Sequence, residues 1–332
     1  MRVQVRSFAK INLGLSIGPR RRDRFHDLRT VYQTIALHDV LRINVVRGSG
    51  IEIRCEDKRV PADETNTCYK VAERVLDALG AKSAVVIEIE KRLPVQGGLG
   101  GASGNAVATL LAIERALKRQ LPASERLRIA AEVGSDLPLF LIGGTVLGVG
   151  RGEEVYAAPD LPSCSCVIAT PEIGVSTPQA FADWDEMGVS KTRDGDARRS
   201  ARQAKLTGST PSDKMIEFSR RLSSWLSGSS GVPARSRGRA ETLLLDLVHT
   251  GIANDFEQVV FPKHPELSEV KRVLERAGAF YAALSGSGSA VYGLFRAREA
   301  AQKAASRLER QGIPAQASTT LTRKQYWKRI WA

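Results

Sequence analysis

The sequence predicts an α+β protein of two domains. One observation is the chain itself, 332 residues with 42% hydrophobic and 26% charged residues, enough for one large core or two ordinary ones. A second is that three strand-like segments come before the first long glycine-rich loop and its helix. A third is a C-terminal strand–turn–strand with helices on either side, the pattern of a small α+β unit. A border is expected at Pro159–Cys166, giving an N-terminal domain over residues 1–162 and a C-terminal domain over 163–332.

The elements follow in order. Val3 and Val5 alternate with polar residues, as in a strand with one buried face. An arginine-rich turn is expected over Gly18–His26, then strands at Thr30–Ala36, Val40–Val46 and Ile51–Cys55. Val71, Val75, Leu76 and Leu79 have helical spacing, and Gly80 is a stop, so a helix is expected over Ala62–Gly80. Ala84–Glu90 (AVVIEIE) ends in strand-like alternation. Residues 93–106 form a glycine-rich loop that opens a helix reaching Leu117. A further helix, Ser124–Val133, is broken by Gly134–Pro138, and Phe140–Val149 is apolar and rich in glycine. Cys166–Thr170 reads as a strand and Gly174–Phe181 as a turn opening a helix. Asp183–Ala240 shows little periodicity and carries twelve basic against seven acidic residues, so a basic insert of mixed helix and mobile loop is expected. The end is regular again: helix Val259–Ala277, strand Ala279–Leu284, turn Ser285–Ser289, strand Ala290–Phe295, helix Ala297–Gln311 and a short strand.

Composition narrows the function classes. No run of about 18 apolar residues exists to span a bilayer, and Lys10 and Asn12 interrupt the N-terminal apolar stretch, which argues against a signal peptide. The net charge of +13 favours anionic partners without choosing among nucleic acid, lipid and phosphorylated small molecules. Cys55, Cys68, Cys164 and Cys166 have neither CxxC nor zinc spacing and read as reduced packing thiols of a cytoplasmic protein.

The most informative segment is Leu93-Pro94-Val95-Gln96-Gly97-Gly98-Leu99-Gly100-Gly101-Ala102-Ser103-Gly104. Glycines let the backbone approach a ligand closely, and the helix start adds unpaired N–H groups and partial positive charge. Together these suit phosphate. A glycine-rich turn that only packs a helix is the plain alternative. A dinucleotide fold fits poorly, since the third glycine is displaced and no acidic residue follows about 20 residues on. No Gly-Lys-Ser/Thr closes the loop, so it is not a Walker loop.

Pro94-x-x-Gly97-Gly98-Leu99-Gly100-Gly101-x-Ser103 before an apolar helix resembles the phosphate loop of the galactokinase, homoserine kinase, mevalonate kinase and phosphomevalonate kinase superfamily. Further segments resemble, in the expected order, one branch of it, whose acceptor is diphosphocytidyl methylerythritol. These are Ala9-Lys10-Ile11-Asn12-Leu13, Asp23-Arg24-Phe25-His26-Asp27-Leu28, Gly134-Ser135-Asp136-Leu137-Pro138-Leu139-Phe140, Asn254-Asp255-Phe256-Glu257 and Leu284-Ser285-Gly286-Ser287-Gly288-Ser289. The resemblance implies a two-domain small-molecule kinase fold, a ribosomal-protein-like α/β domain followed by a ferredoxin-like α+β domain. It also implies ATP and Mg2+ as cofactors, and phosphorylation of the 2-hydroxyl of the cytidine diphosphate-linked alcohol in non-mevalonate isoprenoid synthesis.

Residue roles carry over from the same resemblance. Pro94, Gly97, Gly98, Leu99, Gly100, Gly101 and Ser103 would bind ATP, with the Ser103 hydroxyl a candidate for magnesium. Asp136 would be the base or the group orienting the hydroxyl, and Lys10 would stabilise developing charge. Phe25 and Phe181 would sandwich cytosine and His26 would bond its edge, while Asn12, Ser285, Gly286, Ser287 and Gly288 would complete the substrate site. Asn254 and Asp255 would cap a helix and support the site from behind. The plain alternatives are a turn-forming Asp136, a snorkelling Lys10, an edge-strand Asn12, a surface His26, a core Phe181 and a simple hairpin turn at 285–289.

The chain departs from the family at Gln96 and Ala102, where glycine is usual, at Gly104, where serine is usual, at Arg24, where glycine is usual, and in the length of 183–240. Two rival functions remain at this stage: a superfamily kinase with another small alcohol acceptor, and a basic nucleic-acid-binding protein using the tail Arg323–Trp331. The Phe25-His26 element favours the cytidylyl acceptor, and the tail reads best as a packed terminal segment.

Overall fold

Two sheets, packed across a shared apolar layer, organise the chain. A computed structural model describes residues 1–193, 211–229 and 252–331. The first sheet contains β1 (Arg2–Arg20), β2 (His26–Arg47), β3 (Ile51–Cys55), β4 (Ser83–Glu90), β5 (Thr145–Val149) and β6 (Glu154–Ala157). β2 is its spine. β1 runs antiparallel along one side of it, while on the other side its C-terminal half pairs with β4 and its N-terminal half with β5. β3 lies parallel to β4, and β6 antiparallel to β5.

The strands expected at Thr30–Ala36 and Val40–Val46 are one strand. The interruption in the pattern is a bulge: Phe8 pairs with His38 but Ala9 pairs with Ile35, leaving Ala36 and Leu37 without partners in β1. The expected turn is likewise shorter, because β1 and β2 continue to Arg20 and from His26.

Helices α1 (Thr67–Ala78), α2 (Gly101–Leu117), α3 (Ala123–Val133) and the short α4 (Leu137–Phe140) form a core with this sheet. Asn66 starts α1 by accepting from the Cys68 N–H. α2 is central, and every residue from Gly104 to Glu114 is buried. A helix buried all round needs no polar stripe, which explains the run Ala106–Ile113.

The second sheet has the order β10-β7-β9-β8, all antiparallel, from β7 (Ser165–Ala169), β8 (Tyr281–Leu284), β9 (Val291–Phe295) and β10 (Ala315–Thr319). With α5 (Thr177–Arg193), α7 (Glu257–Lys263), α8 (Pro265–Arg276) and α9 (Arg298–Arg310) it makes a ferredoxin-like α+β unit. The single helix expected over Val259–Ala277 is two. Pro265 has no N–H to donate and drives His264 out of the helical region, to φ −133° and ψ 71°. A third apolar cluster, including Ile11, Leu13, Val31 and Ile35 from the first sheet and Ile168, Ala283, Tyr292 and Leu294 from the second, joins the two.

α6 (Pro211–Ser229) corrects the reading of the insert as weakly periodic. Met215, Phe218, Leu222 and Trp225 recur at spacings of three and four, are buried, and lie on β1. Each such side chain contributes about 1.5–3 kcal/mol by leaving water. The mobile loops expected within 183–240 fall on residues 194–210 and 230–240, outside the described residues.

The C-terminal segment crosses back to the first sheet, although it was expected with the second domain. Thr322 and Gln325 form a capping box for α10 (Arg323–Arg329). The Tyr326 hydroxyl donates to the Phe140 carbonyl at 2.7 Å, the Trp327 indole N–H to the Ile142 carbonyl at 3.0 Å, and Val5 bridges to Trp331. The Arg115 guanidinium covers the Trp331 ring at 4.2 Å. The aromatic rings that a nucleic-acid-binding tail would present are engaged in this packing. Among the described residues no helix is long and apolar enough to cross a membrane.

Candidate active site

Period-two geometry in β1 puts Lys10 and Asn12 on one face while Ala9, Ile11 and Leu13 enter the layer between the sheets. Both polar residues are buried, and they form a chain: the Lys10 ammonium donates to Asn12 Oδ1 at 2.7 Å, and Asn12 Nδ2 donates to the Thr30 hydroxyl at 2.7 Å. The Lys10 Nζ also lies 3.5 Å from Asp136 Oδ2. Asp136 sits where α3 has ended and α4 begins, a position set by the Gly134 break and by Pro138. Its other oxygen accepts from the Tyr32 hydroxyl at 2.9 Å. The carboxylate is held between a cation and a phenol while remaining about one-third exposed, at 35%.

Tyr32 is buried, and that burial, with the Asp136 charge beside it, pushes its hydroxyl well above the ordinary tyrosine range. It stays a proton donor to Asp136 throughout the working range of pH. Replacing Tyr32 by Phe removes that donor and leaves Asp136 tethered by Lys10 alone. The expected result is a fall in kcat of about tenfold, one charge-assisted hydrogen bond, with the KM for ATP unchanged. Steady-state kinetics with each substrate varied checks this, and an unchanged kcat would remove Tyr32 from the positioning of Asp136.

The glycine loop lies beside these groups. Gly98 and Gly100 have φ of 71° and 68°, the left-handed region that favours glycine. A Cβ on Gly98 would stand 2.1 Å from the Ser285 carbonyl, and one on Gly100 would stand 3.0 Å from Lys10 Cγ. Backbone thus comes as close to Lys10 as a side chain normally does. The Ser285–Ser289 turn from the second sheet braces the loop: Ser285 Oγ donates to the Gly98 carbonyl at 3.0 Å and the Ala290 N–H to the Gly97 carbonyl at 3.1 Å. Asn254 Nδ2 donates to the Leu284 and Gly286 carbonyls, and Asp255 accepts from the Ile17 N–H, so both support this turn and its approach to β1.

Two cavities meet at the loop. One, of about 660 Å³, is lined by Lys10, Asn12, Phe25, His26, Tyr32, Asp136, Phe181, Gly286 and Ser287 among others. The other, of about 360 Å³, is lined by Asn66, Thr67, Lys91 and the loop from Pro94 to Ser103. Gly98, Gly100 and Ser103 line both. Leu99 and Gly101 line only the second, and Gly288 neither. Among the described residues no cluster of three His, Cys, Asp or Glu could hold a metal unaided. A lone hydroxyl at Ser103 fits magnesium, which keeps few protein ligands and is carried largely by nucleotide phosphates.

The far end of the larger cavity differs from the expected sandwich. Phe25 is 52% exposed, with the Arg151 guanidinium 5.0 Å from its ring. Phe181 stacks on His26 instead, with centroids 5.3 Å apart and rings 7° from parallel, and no ring contact joins it to Phe25 among the described residues. His26 is buried. Its Nδ1 faces the Gly18 carbonyl at 3.1 Å and its Nε2 faces Asp185 at 3.1 Å, so both ring nitrogens of the residue expected to bond the base edge have partners in the chain. Sequence reasoning missed Tyr32, Thr177 and Asp185. Thr177 lies 2.7 Å from the Ser287 hydroxyl. The signal was present in part: Thr177, Phe181 and Asp185 are four residues apart on α5, one helical stripe.

Another missed residue sits behind the loop. Asp39, fully buried beside the β2 bulge, accepts from Lys91 Nζ at 2.6 Å, from the Arg92 and Leu93 N–H groups, and from Asn105 Nδ2 at 3.0 Å. It holds both flanks of the glycine loop. At Gly104, where the family usually has serine, a Cβ would lie 2.8 Å from the Ser7 hydroxyl, so Ser7 fills the volume that a serine there would need. Gln96 holds a φ of 62° where the family usually has glycine. The cysteines are packing thiols: burial pushes Cys68 up to about 12 and Cys164 up to about 11.

Comparison with known proteins agrees with this geometry. Residues 66–144 match the GHMP kinases N terminal domain, and residues 238–314 match the GHMP kinases C terminal domain. The 4-diphosphocytidyl-2-C-methyl-D-erythritol kinase of Solibacter usitatus is 36% identical over 98% of this chain and 91% of its own. That of Desulfitobacterium hafniense is 33% identical over 92% and 91%. A crystal structure of 4-(cytidine 5'-diphospho)-2C-methyl-D-erythritol kinase superposes with a TM-score of 0.69 at 27% identity, covering 96% of this chain and 98% of that one. A homoserine kinase from Cytophaga hutchinsonii, 19% identical, shares the fold with a TM-score of 0.66 over 97% and 95%. A glycine loop dividing two cavities, a Lys–Asp pair at the division, and relatives matching along nearly the whole length together place the chain in the 4-diphosphocytidyl-2-C-methyl-D-erythritol kinase family of the GHMP kinases.

Proposed function

We propose that the protein is a cytoplasmic ATP-dependent kinase that phosphorylates the 2-hydroxyl of 4-diphosphocytidyl-2-C-methyl-D-erythritol, a step in isoprenoid precursor synthesis. The observation that carries this reading is the shared wall. Gly98, Gly100 and Ser103 face both cavities, and Lys10 and Asp136 stand on the larger side of it. A phosphoryl group delivered along the loop from the smaller cavity would meet a hydroxyl held in the larger one.

The residues divide the work accordingly. Backbone N–H groups from Gly97 to Ser103 and the start of α2 cradle the ATP phosphates. Ser103 would hold magnesium together with those phosphates; the ion would supply neutralisation of phosphate charge. Asp136 accepts the hydroxyl hydrogen and orients the oxygen, with Tyr32 and Lys10 fixing the carboxylate. The Lys10 ammonium screens the charge that develops between acceptor and phosphoryl group. Asn12 holds Lys10 in place and offers a polar atom to the acceptor. Phe25 and Phe181 supply apolar faces for the cytosine.

Purified protein with ATP and magnesium is expected to release ADP on addition of the cytidylyl acceptor and to stay silent with homoserine or mevalonate. A coupled ADP-release assay decides it. Turnover with either small alcohol, and none with the cytidylyl compound, would move the protein to another acceptor.

A further inference from the structure

Three arginines line the larger cavity: Arg20, Arg24 and Arg151. Two of them are balanced. Arg20 lies 3.7 Å from Asp185, and Arg151 lies 3.0 Å from Glu153. Arg24 has no acidic partner among the described residues, because its neighbour Asp23 is held by Arg21 at 3.2 Å. Arg24 also has a φ of 71°, where side-chain-bearing residues are uncommon and glycine is free of strain. An unbalanced cation at the mouth of a cavity, kept at a backbone position that resists it, calls for a ligand that uses the charge.

Its place says which ligand. Arg151 stands between the two ends of the cavity: its guanidinium covers Phe25 at 5.0 Å, and the adjacent Gly152 comes within 4.0 Å of Asp136 Oδ1, measured from a Cβ built on it. Arg24 precedes Phe25 in the chain. A linker joining a ring at Phe25 to a hydroxyl at Asp136 therefore runs past Arg151 and Arg24. We propose that Arg24, with Arg151 beside it, binds the diphosphate of the acceptor. The proposal rests on the cytidylyl reading above and adds the residue that recognises the anionic linker.

Arg24→Gly suits the positive φ at this position and removes the side chain with its charge. It is expected to raise the KM for the cytidylyl acceptor about tenfold, the scale of one charge-assisted contact, with the KM for ATP unaltered. Arg22→Ala removes the same charge from an exposed neighbour outside the cavity and is the control for general electrostatics. Calorimetry separates the two readings. With the nucleotide cleft filled by a non-hydrolysable ATP analogue, cytidine diphosphate and cytidine are titrated into wild type and Arg24→Gly. Arg24→Gly should weaken cytidine diphosphate about tenfold and leave cytidine unchanged, and added salt should narrow the gap between the two proteins. Equal affinity of both proteins for cytidine diphosphate, or an equal loss in Arg22→Ala, overturns the proposal alone. Failure of the wild type to bind either compound overturns the cytidylyl reading and the proposal with it.

Discussion

Asp136→Asn is expected to lower kcat by about 10²–10⁴-fold, the range for removing a positioned acid–base group, while the protein stays folded. The substitution keeps the shape of the side chain at a site that is 35% exposed, so no cavity and no buried orphan is created. What changes is charge. The amide no longer balances the Lys10 ammonium 3.5 Å away and cannot take up a proton from the acceptor hydroxyl. The glycine loop is untouched, so the KM for ATP should hold within about threefold, too small a change to reflect a lost phosphate contact. Lys10→Ala should give a deficit of similar size, and the double variant should be no slower than the slower single one, since groups that act as a unit are not additive. Circular dichroism and thermal melting establish the fold, and ADP release gives the rate. A variant at Asp136 that keeps a tenth or more of the wild-type rate would take the reaction away from this carboxylate.

Asp39→Asn should bring the largest loss of stability, about 3–5 kcal/mol, because it leaves the Lys91 ammonium buried without its counter-charge. Lys91 is only 9% exposed and Asp39 is fully buried. The loss should appear as a thermal midpoint lower by roughly 10 °C. The same carboxylate ties Arg92 and Leu93 at the start of the glycine loop to Asn105 in α2. The KM for ATP should therefore rise in the residual folded protein, while that for the acceptor does not. Asp39→Asn with Lys91→Met removes both charges and should recover much of the melting temperature without recovering the KM for ATP. Recovery of both together would reduce Asp39 to a packing role.

Residues in a motif were legible, and residues that act through tertiary contact were not. The Gly134-Ser135-Asp136-Leu137-Pro138 break marks Asp136 because a helix must stop there. Glycines spaced so closely between Gln96 and Ala102 mark a backbone that has to come near a ligand. Tyr32 and Asp39 lie in an ordinary strand pattern, where a tyrosine and an aspartate announce nothing. The pairing of β1 with β2 sets Tyr32 opposite Asn12, and the corner between α3 and α4 brings Asp136 to its hydroxyl, while the bulge at Ala36–Leu37 lies just before Asp39. His26 shows the converse. Its motif was readable, yet the Gly18 carbonyl and Asp185, which fix its ring, come from a neighbouring strand and from a helix some 160 residues on. The helix Pro211–Ser229 was readable in principle from Met215, Phe218, Leu222 and Trp225, but its surroundings rich in Ser and Arg hid the spacing.

The return of Leu321–Trp331 to the first sheet orders events at the ribosome. A nascent chain that has delivered residues 1–320 already carries Lys10, the glycine loop and Asp136. It still lacks Tyr326 and Trp327, which close over Phe140 and Ile142 immediately beyond Asp136. Vectorial folding, in which the first-made half matures while the second is still being translated, is therefore incomplete here. The packing around Phe140 and Ile142 is complete only once α10 has been made.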